Sequence, residues 1–314
     1  MQRVRGSFRE PFLSKGSNMK KLLLIVNPCA GQRKGKRYLA DMIDIFNRAG
    51  YLVLTHLTAE PGDGARIARE LAGQVDLVVC CGGDGTFNET ASGVVKSGTD
   101  VPVGYIPAGS TNDFAASLQL SSNILQAARD VVEGAAEALD MGSFGGRYFS
   151  YVASFGAFTR ASYTTPQSMK NLWGHAAYVL GGIQELSQLR TWPMRFELPD
   201  GTVIEDQFVF GAISNATSVG GVLTLSKDQV DLRDGKFELL LVRAPKDLIE
   251  LAECVRALQK QTYDCHMLTF CHASSVKISG EAGMEWTLDG EWEPGHETVQ
   301  VQCLHKAIRV VRRH

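Results

Sequence analysis

The chain has 314 residues, of which 44% are hydrophobic and 21% charged, with a formal net charge of −2. That length exceeds one typical domain, so two are expected in an ordinary globular protein. The near-balanced charge argues against a general nucleic-acid binder. No apolar run approaches the roughly 18 residues needed to cross a bilayer, so no transmembrane segment is expected.

Residues 1–18 show no sustained period and read as a disordered extension, with Met19 a natural start for the fold. Basic residues crowd the region up to Arg37 and recur at Lys306, Arg309, Arg312 and Arg313. Such clusters suit anionic lipid or nucleotide phosphates, or are solvated faces. From residue 20 strand and helix alternate. Segments 20–26, 51–57, 75–81 and 103–106 read as strands. Segments 36–48, 63–71, 86–96, 112–118 and 123–133 read as helices. This alternation predicts a parallel sheet covered on both faces, with ligands bound beyond the C-terminal strand ends.

The texture changes after about residue 140. Gly145-Gly146 and Asp200-Gly201 are hairpin signals between β-rich runs. Strands are expected at 195–198, 202–213, 237–242, 267–271, 276–279, 286–288 and 299–303, interrupted by helices at 169–189 and 246–261. The expected architecture is α/β: an N-terminal parallel-sheet nucleotide domain (19–140) and a C-terminal antiparallel β-sandwich (141–303). Residues 304–314 are expected to return to the first domain. Seven cysteines without a C-x-x-C pair suit a reducing, cytoplasmic setting rather than a disulfide framework.

The chemistry concentrates in the loops after strands. Gly82-Gly83-Asp84-Gly85-Thr86 closes an apolar strand and opens a helix. Its glycines admit close backbone approach, and a helix N-terminus suits phosphate. Asp84 within such a loop makes sense if it helps to hold Mg²⁺ on phosphates, which points to ATP. Asn27-Pro28-Cys29-Ala30-Gly31 follows the first strand. Pro107-Ala108-Gly109-Ser110-Thr111-Asn112-Asp113-Phe114-Ala115 follows the fourth. Taken alone, Asp113 reads as a helix N-terminal residue, Asp140 as a turn residue, and Asp289-Gly290-Glu291 as a hairpin turn.

Together and in this order, these motifs resemble the diacylglycerol kinase catalytic domain, especially the soluble bacterial lipid kinases. The resemblance runs from about Met19 to the C-terminus. The glycine motif is shared with NAD kinases and, loosely, with phosphofructokinases. The Pro107–Ala115 segment separates the lipid kinases from both. The resemblance implies an ATP site lined by Asn27, Pro28, Cys29, Ala30, Gly31, Thr58, Gly82, Gly83, Asp84, Gly85, Thr86, Phe87, Asn88, Ser110, Thr111 and Asn112. Thr58 enters through Thr58-Ala-Glu-Pro-Gly62-Asp63; on its own it is an ordinary strand-end threonine. Asp84, Asp113 and Asp140 resemble acids linked through water to the catalytic magnesium. Glu291 is the candidate base, with Asp289 as alternative or support. Asp231, Asp234 and the Lys236 carbonyl resemble a second, structural Mg²⁺ site. One departure is Gln32, where many relatives carry Lys; Arg33 and Lys34 follow it.

The resemblance implies transfer of the ATP γ-phosphate to a lipid primary hydroxyl, with diacylglycerol the leading acceptor and phosphatidic acid the product. Sphingoid bases, phosphatidylglycerol, undecaprenol and NAD are the alternative acceptors, and a non-enzymatic nucleotide-binding regulator is the other class considered. A lipid acceptor implies transient docking at the inner membrane face. The stretch Trp173, Tyr178, Leu180, Ile183, Leu186, Leu189 and Trp192 is the candidate surface, against its reading as a core helix. A homodimer rests on the resemblance alone.

Overall fold

The continuous apolar run Leu22–Val26 builds the middle of a parallel sheet. This computed structural model describes residues 19–156, 190–219 and 223–313. The first half runs β1 (Lys20–Val26), α1 (Lys34–Arg37), α2 (Leu39–Arg48), β2 (Tyr51–Leu57), α3 (Asp63–Leu71), β3 (Leu77–Gly82), α4 (Asp84–Ser97), β4 (Val103–Pro107), α5 (Asp113–Ser117) and α6 (Ile124–Glu133). Strands β2, β1, β3 and β4 lie side by side, all parallel. Alternate residues serve opposite faces. Leu23, Ile25, Val78, Cys80 and Tyr105 pack with Phe87 and Phe114 on one side. Leu22, Leu24, Val26, Val79 and Ile106 pack with Met42, Phe46 and Ala128 on the other. Helix α4 crosses α3 at Gly93, where a side chain would collide with the Ala65 carbonyl.

The second half runs β5 (Ala135–Phe144), β6 (Arg147–Phe149), β7 (Val152–Gly156), β8 (Trp192–Glu197), β9 (Val203–Ser214), β10 (Ser218–Val219), β11 (Leu223–Thr224), β12 (Phe237–Arg243), α7 (Leu248–Gln259), β13 (Leu268–Ala273), β14 (Ser275–Ser279), β15 (Trp286–Leu288), β16 (Glu291–Glu293) and β17 (Thr298–Arg312). Its strand pairs are antiparallel apart from the contact of β17 with β4. Phe144, Phe149, Phe155, Phe196, Phe208, Phe237 and Trp286 fill its own core. Strand β17 pairs with β14 and β5 and then, at Val310, with Val103 of β4. The parallel and antiparallel parts are thereby one sheet.

Several expectations differ from what is seen. The single helix over 36–48 is two, because Tyr38 leaves helical geometry between α1 and α2. The strand expected at 299–303 continues to Arg312 past an irregularity between Leu304 and Ile308, where Lys306 takes φ 52. Its polar His305-Lys306 pair hides the continuation in sequence. Trp192, offered as lipid-facing, is buried in the second core under Arg190, whose guanidinium stacks on the ring. The rest of that apolar stretch and the expected helix at 169–189 lie outside the described residues. The C-terminal basic cluster is largely paired: Arg309 with Asp100, Arg312 with Glu137, and Arg313 with Asp130 and Glu133. No described helix is long and apolar enough to cross a membrane.

Candidate active site at the strand ends

Three loops touch at the C-terminal edge of the parallel strands. Asn27 Nδ2 donates to Thr86 Oγ1 at 3.3 Å, and its Oδ1 accepts the Cys29 N–H. Gly31 packs on the backbone of Ala108 and Gly109 so closely that any side chain would collide with it. A Cβ on Gly109 would lie 2.6 Å from Gly83 Cα. Asn112 stabilises this third loop: at φ 55 it accepts the Gly109 N–H and donates to the Gly109 carbonyl. Ser110 and Thr111 are exposed at its tip, as is Cys29 on the first loop. Thr58 stands beside them, its N–H bonded to the Val26 carbonyl.

Helix α4 begins at Asp84, two residues earlier than its sequence pattern suggests, with extended Gly83 at its N-cap. The N–H groups of Gly85 and Thr86 meet no acceptor among the described residues. They form the positive end of a long helix, where an anion is favoured. Phe87 contributes only backbone there, because its ring lies in the core between Tyr105 and Phe114. Asn88 is also buried; its Oδ1 accepts the Ser150 hydroxyl and its Nδ2 donates to the Tyr148 carbonyl. It joins the two halves rather than facing a cleft.

Asp84 accepts the Tyr105 hydroxyl at 3.1 Å and the N–H groups of Asp113 and Phe114 at 2.7 and 3.2 Å. It thus caps α5 from another helix. Burial pushes its carboxyl up to about 6; the α5 amides oppose this, and the neighbouring Asp113 charge adds to it.

The turn Asp289-Gly290 has φ 51 and 83, so two left-handed residues fold β16 back on β15. Asp289 anchors the turn. Its carboxylate accepts the N–H groups of Ser150, Tyr151 and Val152. Burial pushes it up to about 7 against those donors, and the Asp84 charge contributes. With both oxygens engaged, Asp289 supports the turn. Glu291 reaches over the glycine loop: its Oε1 lies 3.3 Å from where a Cβ on Gly85 would be. Arg147 donates to its Oε2 at 2.7 Å and bridges to Glu293 at 2.6 Å.

The resemblance groups Asp140 with Asp84 and Asp113, and on its own Asp140 reads as a turn residue; it lies inside β5, with hydrogen-bond partners of its own. Its buried carboxylate accepts the N–H groups of Gly235 and Lys306 at 2.6 Å each and contacts His305 Nδ1. Asp140 therefore ties the 231–236 loop to β17. In that loop Asp231 accepts the Arg233 N–H and Asp234 the Lys236 N–H. Buried Glu238 beside it has an unpartnered Oε2. Burial pushes this carboxyl up to about 8, and Asp234 and Asp231 add to the effect.

Among the described residues no three His, Cys, Asp or Glu side chains gather as a direct ligand group. The carboxylates around Asp84 and Asp113 offer oxygen donors, which fit a hard cation held largely through water. In the other corner Asp231 pairs with Arg233 and Asp140 with His305, which leaves the Asp234 carboxylate and backbone carbonyls as the oxygen donors for such an ion. Sequence reasoning missed Arg147 and Tyr105, which carry no local signal. The Gln32 side chain lies outside the described set, and Arg33 is exposed at φ 58.

Residues 21–144 match the diacylglycerol kinase catalytic domain, and residues 152–312 match the YegS C-terminal NAD kinase beta sandwich-like domain. A diacylglycerol kinase of Bacillus subtilis is 34% identical over 280 residues, covering 87% of this chain and 90% of its own. One from Staphylococcus epidermidis is 31% identical over 275 residues, covering 87% and 86%. In fold, a diacylglycerol kinase crystal structure from Bacillus anthracis aligns with a TM-score of 0.71 at 24% identity, covering 95% of this chain and 98% of that one. With this geometry and these relatives, the chain is a lipid kinase of the diacylglycerol kinase catalytic-domain family.

Proposed function

We propose that this kinase transfers the γ-phosphate of ATP to the primary hydroxyl of diacylglycerol, giving phosphatidic acid and ADP. The observation that carries the mechanism is the position of Glu291 Oε1 over Gly85, beside free N–H groups at the start of α4. The relatives' names support the acceptor.

Asn27–Gly31, Thr58, Gly82–Thr86 and Ser110–Asn112 would surround the phosphates with backbone N–H groups and hydroxyls. Glu291 would take the acceptor's hydroxyl proton on Oε1, while that oxygen forms a bond to the γ-phosphorus. The bond from the γ-phosphorus to the bridging oxygen breaks, and the electron pair leaves with ADP. Asp84 and Asp113 would hold Mg²⁺ through water, with Asp289 adding negative charge. The ion would neutralise charge on the β- and γ-phosphates. Asp231, Asp234 and the Lys236 carbonyl are the second, structural place for Mg²⁺, in the corner that Asp140 ties down. A cytoplasmic enzyme acting on this lipid meets it by transient contact at the inner membrane face; a homodimer is compatible with this scheme.

The test is transfer of labelled γ-phosphate from Mg-ATP to diacylglycerol in mixed micelles, alongside other lipid alcohols and NAD. Label is expected in phosphatidic acid, lost without Mg²⁺ and reduced at least about 10²-fold in Glu291→Ala, the scale of a general base. Label on a different alcohol would move the acceptor. Normal turnover by folded Glu291→Ala would remove Glu291 from its role.

A further inference from the structure

Two helices present their N-terminal ends beside the candidate nucleotide loops, and their ends are in opposite states. At the start of helix α4 the Gly85 and Thr86 N–H groups have no acceptor among the described residues. The N-terminus of α3 is filled. Glu89, from the second turn of α4, accepts the Gly62 N–H on Oε1 at 2.7 Å and the Gly64 N–H on Oε2 at 3.1 Å. A Cβ on Gly64 would lie 2.8 Å from Glu89 Oε2, so a side chain there would push the carboxylate aside. Gly62 takes φ 85, which bends the chain into the helix. A carboxylate at this dipole end is favourable, and it joins segments 25 and 27 residues apart.

The segment strapped down in this way carries Thr58. Its far side is held by the Thr58 N–H on Val26 and by Asp63, which accepts the Ala59 N–H at 3.1 Å. Helix α3 also packs on α4 where Gly93 meets Ala65 and Ala68, but among the described residues the hydrogen bonds from α4 to the Gly62–Gly64 end come from Glu89. We propose that Glu89 is a positioning residue for the nucleotide: by bridging Gly62 and Gly64 to α4 it sets the distance between Thr58 and the Gly82–Thr86 loop. The strap also closes the α3 end to phosphate and leaves the α4 end as the anion site. This inference rests on the ATP site proposed above. Glu89 lies near Glu291, whose charge, after burial, helps to raise the Glu89 carboxyl.

The experiment uses the full chain with wild type, Glu89→Gln and Glu89→Asp. It measures binding of a fluorescent N-methylanthraniloyl ATP, steady-state kinetics with diacylglycerol micelles, and thermal midpoints. Gln keeps the shape but turns an NH₂ toward one of the two N–H groups, so one bond becomes a donor clash. Asp is too short to span both. KM for ATP and the probe's Kd are expected to rise about tenfold in Glu89→Gln, with kcat little changed. Glu89→Asp is expected to fall between. Combining Glu89→Gln with Thr58→Val should raise KM by less than the product of the single effects, because both act on one contact. A lowered midpoint with unchanged KM and Kd in both variants would make Glu89 a structural cap only and overturn the inference. Failure of the wild-type chain to bind the probe or transfer phosphate would overturn the ATP site, and the inference with it.

Discussion

Arg147 Nη2 lies 2.7 Å from Glu291 Oε2, and Oε1 of the same carboxylate faces Gly85. Strand β16 has three residues and ends the sheet, so backbone pairing alone would leave Glu291 loosely aimed. Arg147 also holds the Trp292 carbonyl and Glu293. Arg147→Ala is expected to lower turnover by about 10²-fold, the cost of misplacing a reacting group by about 1 Å. KM for ATP should change little. Arg147→Lys should recover only part of the rate, since a point charge cannot reproduce the fork. Full activity in Arg147→Ala would dissociate the clamp from catalysis.

Gly85 separates stability from activity. It lies in the first turn of α4 without a positive φ, so alanine should stabilise the helix by about 0.5–1 kcal/mol. The added methyl would sit 3.3 Å from Glu291 Oε1 and displace it. Gly85→Ala is therefore expected to resist urea better than wild type while turning over at least about tenfold more slowly. Parallel urea titrations and rate assays decide this. A variant as active as wild type would place the base elsewhere.

Asp140 and Asp84 should respond differently to the same substitution. The Asp140 carboxylate is buried and takes two backbone N–H groups and His305. In Asp140→Asn an amide NH₂ faces donors, which should cost about 2–4 kcal/mol of stability. Urea midpoints should drop, and activity should follow the folded fraction. Asp84→Asn also turns an NH₂ toward donors and should lose stability too, but its folded fraction is expected to lack phosphoryl transfer. Equal loss of activity per folded molecule in the two would erase the distinction.

Asp63 gives a pH test outside the catalytic acids. Its hydrogen bond to His56, with those from Ala59 and Arg66, holds its carboxyl down at about 2. A depressed carboxyl stabilises the fold above its unfolded value near 3.8, and this contribution is lost as pH falls through 2. Thermal midpoints should therefore decline less between pH 4 and pH 2 in Asp63→Asn than in wild type, from a lower starting value. Parallel declines would show that other groups set the acid limb.

Much of the fold is legible in sequence because local pattern and environment agree. Strands β1 and β2 follow their apolar runs to the residue, and α6 starts at the Asn123 cap, whose side chain accepts the Gln126 N–H. The glycine motif, the Asn112 loop and the Asp289-Gly290 turn are visible because left-handed backbone and close approach demand particular residues. The continuation of β17 was not visible, since Lys306 and its polar neighbours interrupt the alternation. Nor could sequence show that Phe87 is core, because an aromatic inside a motif looks the same whether its ring or its backbone is used.

The sequence alone determined the family, the α/β and β-rich halves and the glycine-rich and polar loops at the strand ends, since these depend on residue type at short spacing. Tertiary structure decided which acids lie near one another. Asp84 feels the charge of Asp289 across more than two hundred residues of chain, Asp140 bonds to Gly235 and Lys306, and Arg147 reaches Glu291 from another hairpin. Those partnerships depend on how β17 and the β15–β16 turn dock against the parallel sheet. Side chains that meet only after docking leave no periodic trace in the sequence.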